Sequence, residues 1–257
     1  MHGMNQFNLN GKVAIVTGAG RGLGEQIALG LAESKANIVI CSRKLEACKE
    51  VAQRLEKYGV QTLALPCDIA NQEDVVRVVE ETKNKFGRID ILINNSGITW
   101  GAPVEEYPID KFNHVMHVNV TGMFMMTQAV GQVMLERNYG RIINIASIAG
   151  IVGQDPEILN AIGYSASKGA VISLTRDLAV KWARYGITVN SIAPGFFSSK
   201  MTKAILEKAQ DNILSRVPMG RFGGEDDLKG AAIFLASDAS KYITGQVLAV
   251  DGGLTVV

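Results

Sequence analysis

The chain holds little that would tie it to a nucleic acid, a membrane or a metal ion. Its 257 residues carry a formal net charge of only +1, with no long run of like charges. That balance excludes nucleic acid or an anionic membrane surface as the main partner. No stretch approaches the ~18 uninterrupted apolar residues of a transmembrane helix. The polar segment 1–10 lacks the apolar core of a secretory signal. Cysteine is scarce: Cys41, Cys48 and Cys67 form no C-x-x-C pair. An odd count without a secretion signal points to a reducing cytoplasm, with all three as small structural residues. His114 and His117 have a spacing that would suit two metal ligands, but no third ligand stands near, so no metal site is expected. Internal repeats, low-complexity tracts and linkers are also missing, which leaves one domain over residues 1–257.

Hydrophobic residues make up 47% of the chain, enough for one sizeable core. Residues 12–17 are a short β-branched run, apolar on both faces, as in a buried parallel strand. Gly18-Ala19-Gly20-Arg21-Gly22-Leu23-Gly24 follows, then residues 25–32 at helical period. Strand, glycine turn and helix in that order suit a dinucleotide. The glycines let the backbone approach a pyrophosphate, and the helix N-terminus offers free N–H groups. Further strands are predicted at 37–41, 62–65, 89–93, 141–146, 188–192 and 247–250. Helices are predicted at 45–58, 72–86, 109–136, 164–185, 201–214 and 226–235. The alternation predicts an α/β fold with a parallel sheet and helices on both faces.

Tyr164 and Lys168 stand one helical turn apart on one face. A nearby ammonium favours a phenolate, so the pair predicts a lowered Tyr164 pKa and a general acid/base. Ser147 stands at the end of the fifth strand, where catalytic groups of open α/β sheets gather. Asn119, between two valines in mid-helix, runs against propensity. Asn94-Asn95-Ser96-Gly97 follows the fourth strand and could hold a strand junction, a cofactor or both.

Together these residues resemble the short-chain dehydrogenase/reductase family, from about Gly11 to Gly253. Thr17-Gly18-x-x-x-Gly22-x-Gly24 is similar to its cofactor loop, and Asn94-Asn95-Ser96-Gly97 to its Asn-Asn-Ala-Gly turn. Asn119, Ser147, Tyr164 and Lys168 match its catalytic four, and Pro194-Gly195 its nicotinamide turn. The resemblance implies a single-domain, Rossmann-like doubly wound sheet, and hydride transfer between a nicotinamide and a ketone or secondary alcohol. It makes Tyr164 the proton donor or acceptor. Lys168 lowers the Tyr pKa and binds the nicotinamide ribose, Ser147 bonds the substrate oxygen, and Asn119 places a water between Lys168 and solvent. Cofactor contacts are assigned to Gly18, Arg21, Gly22, Leu23, Gly24, Ser42, Arg43, Asp68, Ile69, Asn95, Ser96, Gly97, Tyr164, Lys168, Pro194, Gly195 and Ser199.

The second strand runs into Cys41-Ser42-Arg43-Lys44, with no Asp or Glu between Asn37 and Lys44. Arg43 and Arg21 therefore favour the 2′-phosphate of NADP(H), with NAD(H) the second choice. Within the family the chain looks most like 3-oxoacyl-thioester reductases acting on acyl-carrier-protein or CoA substrates, including the rhamnolipid-synthesis type. The gluconate 5-dehydrogenases come next. The interval from Ser147 to Tyr164 is longer than is common in the family, so the substrate does not carry over at that loop. A catalytically silent, cofactor-binding regulatory protein is the reading from another class; the intact four residues oppose it. Residues 196–217 are expected to form a substrate lid. Apolar residues on several faces of the two long helices, such as Met123, Val130, Val171 and Leu178, predict a homo-oligomer, and the family resemblance implies that it is a homotetramer.

Overall fold

The computed structural model describes residues 5–198 and 203–257. Its strands among these residues form one parallel seven-stranded sheet in the order β3-β2-β1-β4-β5-β6-β7. The strands are β1 (Val13–Thr17), β2 (Asn37–Ser42), β3 (Thr62–Pro66), β4 (Ile91–Asn94), β5 (Gly140–Ile145), β6 (Ile187–Pro194) and β7 (Val247–Val250). Between them run helices α1 (Gly22–Glu33), α2 (Leu45–Glu56), α3 (Gln72–Phe86), α4 (Ile109–Met116), α5 (Met123–Arg137), α6 (Ile162–Trp182), α7 (Lys203–Arg216) and α8 (Lys229–Ala236). This is the expected Rossmann-like, doubly wound arrangement. The strand order reverses at the β1–β4 pair, and ligands of such sheets bind outside the carboxyl ends of the strands at that point.

Period-two alternation explains why the strands are apolar throughout. Ala14 and Val16 of β1 face one core, with Ile27 and Leu31 of α1 and Leu235 of α8. Val13 and Ile15 face the other, with Val78 of α3, Met126 and Val130 of α5 and Leu178 of α6. The five inner strands, β1, β2, β4, β5 and β6, are buried on both sides, so no polar face marks them in the sequence, whereas the edge strands β3 and β7 are partly exposed.

Helix ends follow local chemistry. The Asn71 side chain caps α3 by accepting from the backbone N–H of Glu73 and Asp74, at 2.8 and 3.1 Å. Gly87, at φ 70°, ends the same helix in the left-handed conformation that glycine adopts without strain.

The single helix predicted over 109–136 is interrupted. Residues His117–Gly122 form a π-helical segment between α4 and α5. The sequence pattern hides it because apolar periodicity continues on either side. Met123, Val130, Val171 and Leu178 are all buried within the chain. They are covered by the sheet and do not of themselves call for a partner subunit.

Candidate active site

The glycine turn after β1 leaves its hydroxyl-bearing neighbour to hold the junction. Thr17 is 1% exposed. Its Oγ1 accepts from the backbone N–H groups of Asn95 and Ser96, each at 3.0 Å. The Asn95 side chain donates back to the Thr17 and Gly18 carbonyls at 2.9 and 3.3 Å. The Asn-Asn-Ser-Gly turn thus binds the glycine turn across the β1–β4 switch point. A side chain at Gly18 would meet Asn95 and Ser96, and one at Gly24 would strike Asn95 and the Gly18 carbonyl. Gly22 differs: it has φ +61° and nothing within 4 Å of a built Cβ. Open space beside the N-terminus of α1 is what a pyrophosphate needs, so the turn fits a dinucleotide.

Arg21 precedes α1 and is exposed, as is Arg43 just past β2. Among the described residues neither has a side-chain hydrogen bond or ion pair. Ser42 accepts from the Lys44 N–H at 3.3 Å and contacts Cys48 Sγ at 3.0 Å. Leu23 packs against the core from α1. Asp68, past β3, turns its carboxylate onto the Ala70 N–H at 3.0 Å, and Ile69 is buried. The three cysteines are free and buried. His114 and His117 are exposed, and no metal-binding group exists among the described residues.

The catalytic candidates converge at the carboxyl ends of β4, β5 and β6. Ser147 follows β5 and is 9% exposed. Burial pushes the Tyr164 phenol's pKa up, and the neighbouring Ser147 hydroxyl, which favours ionisation, offsets this only in part. Lys168 is 5% exposed. Its ammonium donates to the Ile145 carbonyl at 2.6 Å and lies 5.5 Å from the Tyr164 ring centre. Burial with no carboxylate partner lowers its pKa to about 8. The expected lowering of Tyr164 therefore does not hold in the protein alone. The lysine spends its short hydrogen bond on a carbonyl, and desolvation penalises both charged forms.

Asn119 lies in the π-helical segment, 2% exposed. Its Oδ1 accepts from the Ile98 N–H at 2.8 Å, and its Nδ2 donates to the Ile98 carbonyl and the Ser167 hydroxyl, both at 2.9 Å. Ser167 in turn donates to the Tyr164 carbonyl at 2.7 Å. Asn119 thus connects the loop after β4 to the helical turn that carries Tyr164 and Lys168. The widened turn of a π-segment is a common device at functional sites. Gly97 completes the cluster: a Cβ there would sit 3.3 Å from Asn119 Oδ1 and 3.7 Å from Lys168 Nζ.

Pro194 ends β6, and the Gly195 N–H donates to Val250 at 3.0 Å. A side chain at Gly195 would strike Asp251 at 2.8 Å. Asp251, which sequence reasoning passed over, anchors this turn by accepting from Gly253 and Thr255. Ser199 and residues 200–202 of the expected lid lie outside the described residues.

A second buried polar chain was also missed. Asn94 and Asn144 are partners across β4 and β5. The Asn94 amide donates to Asn144 at 2.9 Å and to Thr127 at 2.8 Å, and Asn144 donates to Thr175 at 2.9 Å. The signal was an amide within an apolar strand, as in Ile142-Ile143-Asn144-Ile145.

Residues 18–255 match the family model described as Enoyl-(Acyl carrier protein) reductase. The chain is 39% identical over 252 residues to the 5-keto-D-gluconate 5-reductase of Escherichia coli K12, covering 97% of this chain and 98% of the relative. It is 39% identical over 253 residues to the rhamnolipids biosynthesis 3-oxoacyl-[acyl-carrier-protein] reductase of Pseudomonas aeruginosa, covering 96% and 97%. A gluconate 5-dehydrogenase from Burkholderia cenocepacia, solved with NADP and tartrate, superposes with a TM-score of 0.94 at 41% identity over 100% of both chains.

Proposed function

Because the chain belongs to the short-chain dehydrogenase/reductase family, as an oxidoreductase of CH–OH groups, we propose that it reduces the ketone of a short polyhydroxy acid. The observation that carries this reading is the meeting of Ser147, Tyr164 and Lys168 beside Gly97 at the carboxyl edge of the sheet. A reduced nicotinamide dinucleotide, when bound, supplies the hydride.

The chain's own residues do the rest. Gly18, Gly22 and Gly24 cradle the pyrophosphate at the start of α1. Arg21 and Arg43, exposed beside this turn, take a 2′-phosphate, so NADP(H) is preferred over NAD(H). Lys168 binds the ribose hydroxyls next to Gly97. Ser147 donates to the substrate oxygen, and Tyr164 delivers the proton there. A phenol kept neutral by burial is poised for ketone reduction. Asn119 positions the Tyr164 turn through Ser167 and stands on the proton path from Lys168 to solvent.

Two substrate classes compete, because relatives of both kinds match equally well. We place the sugar acid first on the solved relative that carries NADP and tartrate, itself a small hydroxy acid. The 3-oxoacyl thioester is the second reading. The test is NADPH oxidation with 5-keto-D-gluconate against acetoacetyl-CoA. We expect the higher kcat/KM with the keto acid, lower rates with NADH, and a loss of at least ~10²-fold in kcat for Tyr164→Phe. Faster reduction of the thioester would reverse the order of the two substrates. Undiminished turnover by the variant would remove Tyr164 from the mechanism.

A further inference from the structure

The segment between Ser147 and Tyr164 begins and ends at the catalytic cluster, so what it builds adjoins the site. Its first turn is a short 3₁₀ helix, Ile148–Gly150. The rest does not wander in solvent. At its near end the Asn160 carbonyl accepts from the Ala102 N–H at 2.9 Å, which fastens it to the loop after β4. At its far end it reaches the C-terminal end of α7. There Ile158 is buried with Ile213 and Val217, at 8%, 1% and 6% exposure, in a cluster separate from the main cores. Beside that cluster the Asp155 carboxylate meets the Arg216 guanidinium at 2.6 Å. The other Asp155 oxygen accepts from the Glu157 N–H at 2.9 Å, which fixes the carboxylate's direction. Phe196, just past the Pro194-Gly195 turn, packs on the same cluster. The 151–160 segment, the end of α7 and the stretch after Gly195 are therefore joined by one small apolar cluster and one ion pair.

Resting on the proposed reduction of a short oxo acid, we propose that Asp155, Ile158 and Arg216 form a clasp that limits substrate size. A short polar acid fits wholly beneath the clasped segment. An acyl group on a long thioester arm must lead the arm out past it, and the clasp stands in the way. Selectivity then comes from rejecting the larger substrate as much as from contacts to the smaller one. The three residues are positioning residues. They act by holding the segment against α7 and not on the reacting atoms.

The test compares wild type, Asp155→Ala, Arg216→Ala and the exchanged pair Asp155→Arg with Arg216→Asp. Two readouts are taken: kcat/KM with NADPH for 5-keto-D-gluconate and for acetoacetyl-CoA, and hydrogen exchange over residues 153–160. Each single variant should raise the thioester-to-keto-acid ratio by about tenfold or more, the scale of one lost discriminating contact. Each should also speed exchange in the segment, and the exchanged pair should return both readouts towards wild type. If a single variant speeds exchange but leaves the ratio within about twofold of wild type, on that same scale, the clasp does not select and the proposal fails while the keto-acid reading stands. Unchanged exchange in Asp155→Ala overturns it equally, since the ion pair then holds nothing. If wild type already reduces acetoacetyl-CoA faster than the keto acid, the substrate reading falls and the clasp falls with it.

Discussion

Lys168 is the residue on which chemistry and stability conflict. Burial with a carbonyl as its sole close partner brings its pKa from 10.5 to about 8. That displacement opposes folding by roughly 3 kcal/mol while the side chain is charged. For a base with a depressed folded pKa the penalty is fully present below pH 8. It fades as the pH rises towards 10.5, because the unfolded chain then binds the extra proton. Lys168→Met removes the charge and also one hydrogen bond worth about 1 kcal/mol. The cofactor-free variant should therefore be about 1–2 kcal/mol more stable than wild type at pH 7, on the same balance. The gap should narrow in denaturant titrations near pH 10, and a variant less stable at pH 7 would refute the account. Activity follows the same ionisation. In the proposed mechanism, ketone reduction uses a neutral Tyr164 and a charged Lys168. The kcat/KM for reduction should be flat near neutrality and fall as the pH rises through about 8. A profile that rises through that range would mean another group controls the step. The spacing of Tyr164 and Lys168 was legible in the sequence. The direction of the phenol's shift was not, because desolvation depends on what the fold places around the pair.

At the scale of elements, periodicity gave away strands and helices, and irregular backbone hid from it. The π-helical turn at His117–Gly122 is invisible to apolar spacing, yet the misfit of Asn119 between two valines marked its place. The Asn94–Asn144 pair is likewise readable as amides inside apolar strands, but its partners Thr127 and Thr175 emerge only when helices dock on the sheet. The Thr17 hydroxyl is the case with the sharpest consequence. It satisfies the N–H groups of both Asn95 and Ser96 from the neighbouring strand's end. Thr17→Val keeps the shape and removes the acceptor, stranding two N–H groups at about 1–3 kcal/mol each. Thermal unfolding should show a loss of at least ~2 kcal/mol on that basis, with weaker dinucleotide binding because the Gly18 turn loses its tie. A loss under ~0.5 kcal/mol, the range of ordinary surface substitutions, would show that the junction does not depend on this hydroxyl.

For the whole molecule the question is assembly, and the burial pattern changes the reason for expecting it. The apolar residues Met123, Val130, Val171 and Leu178 are consumed by the chain's own core. What stays outside is a different set. Phe124 on α5 is 38% exposed, Ile109 on α4 72%, and Ile162 and Val180 on α6 43% and 82%. Beyond the helices, Tyr242 and the C-terminal Val256 and Val257 are exposed as well. Single exposed apolar residues are ordinary, but several on one helix layer mark a surface that a partner covers. Charge does not oppose association, since the formal net charge is only +1. The prediction is a homo-oligomer, a tetramer by resemblance to the family, with the α4–α6 layer in one of its interfaces. Light scattering at micromolar concentration should give a mass above that of the 27.6 kDa chain. Val180→Glu with Phe124→Glu should lower that mass by placing like charges where two copies meet, while circular dichroism stays unchanged. A wild type that scatters as a monomer, or charged variants that assemble as well as wild type, would place the covered face elsewhere or remove it.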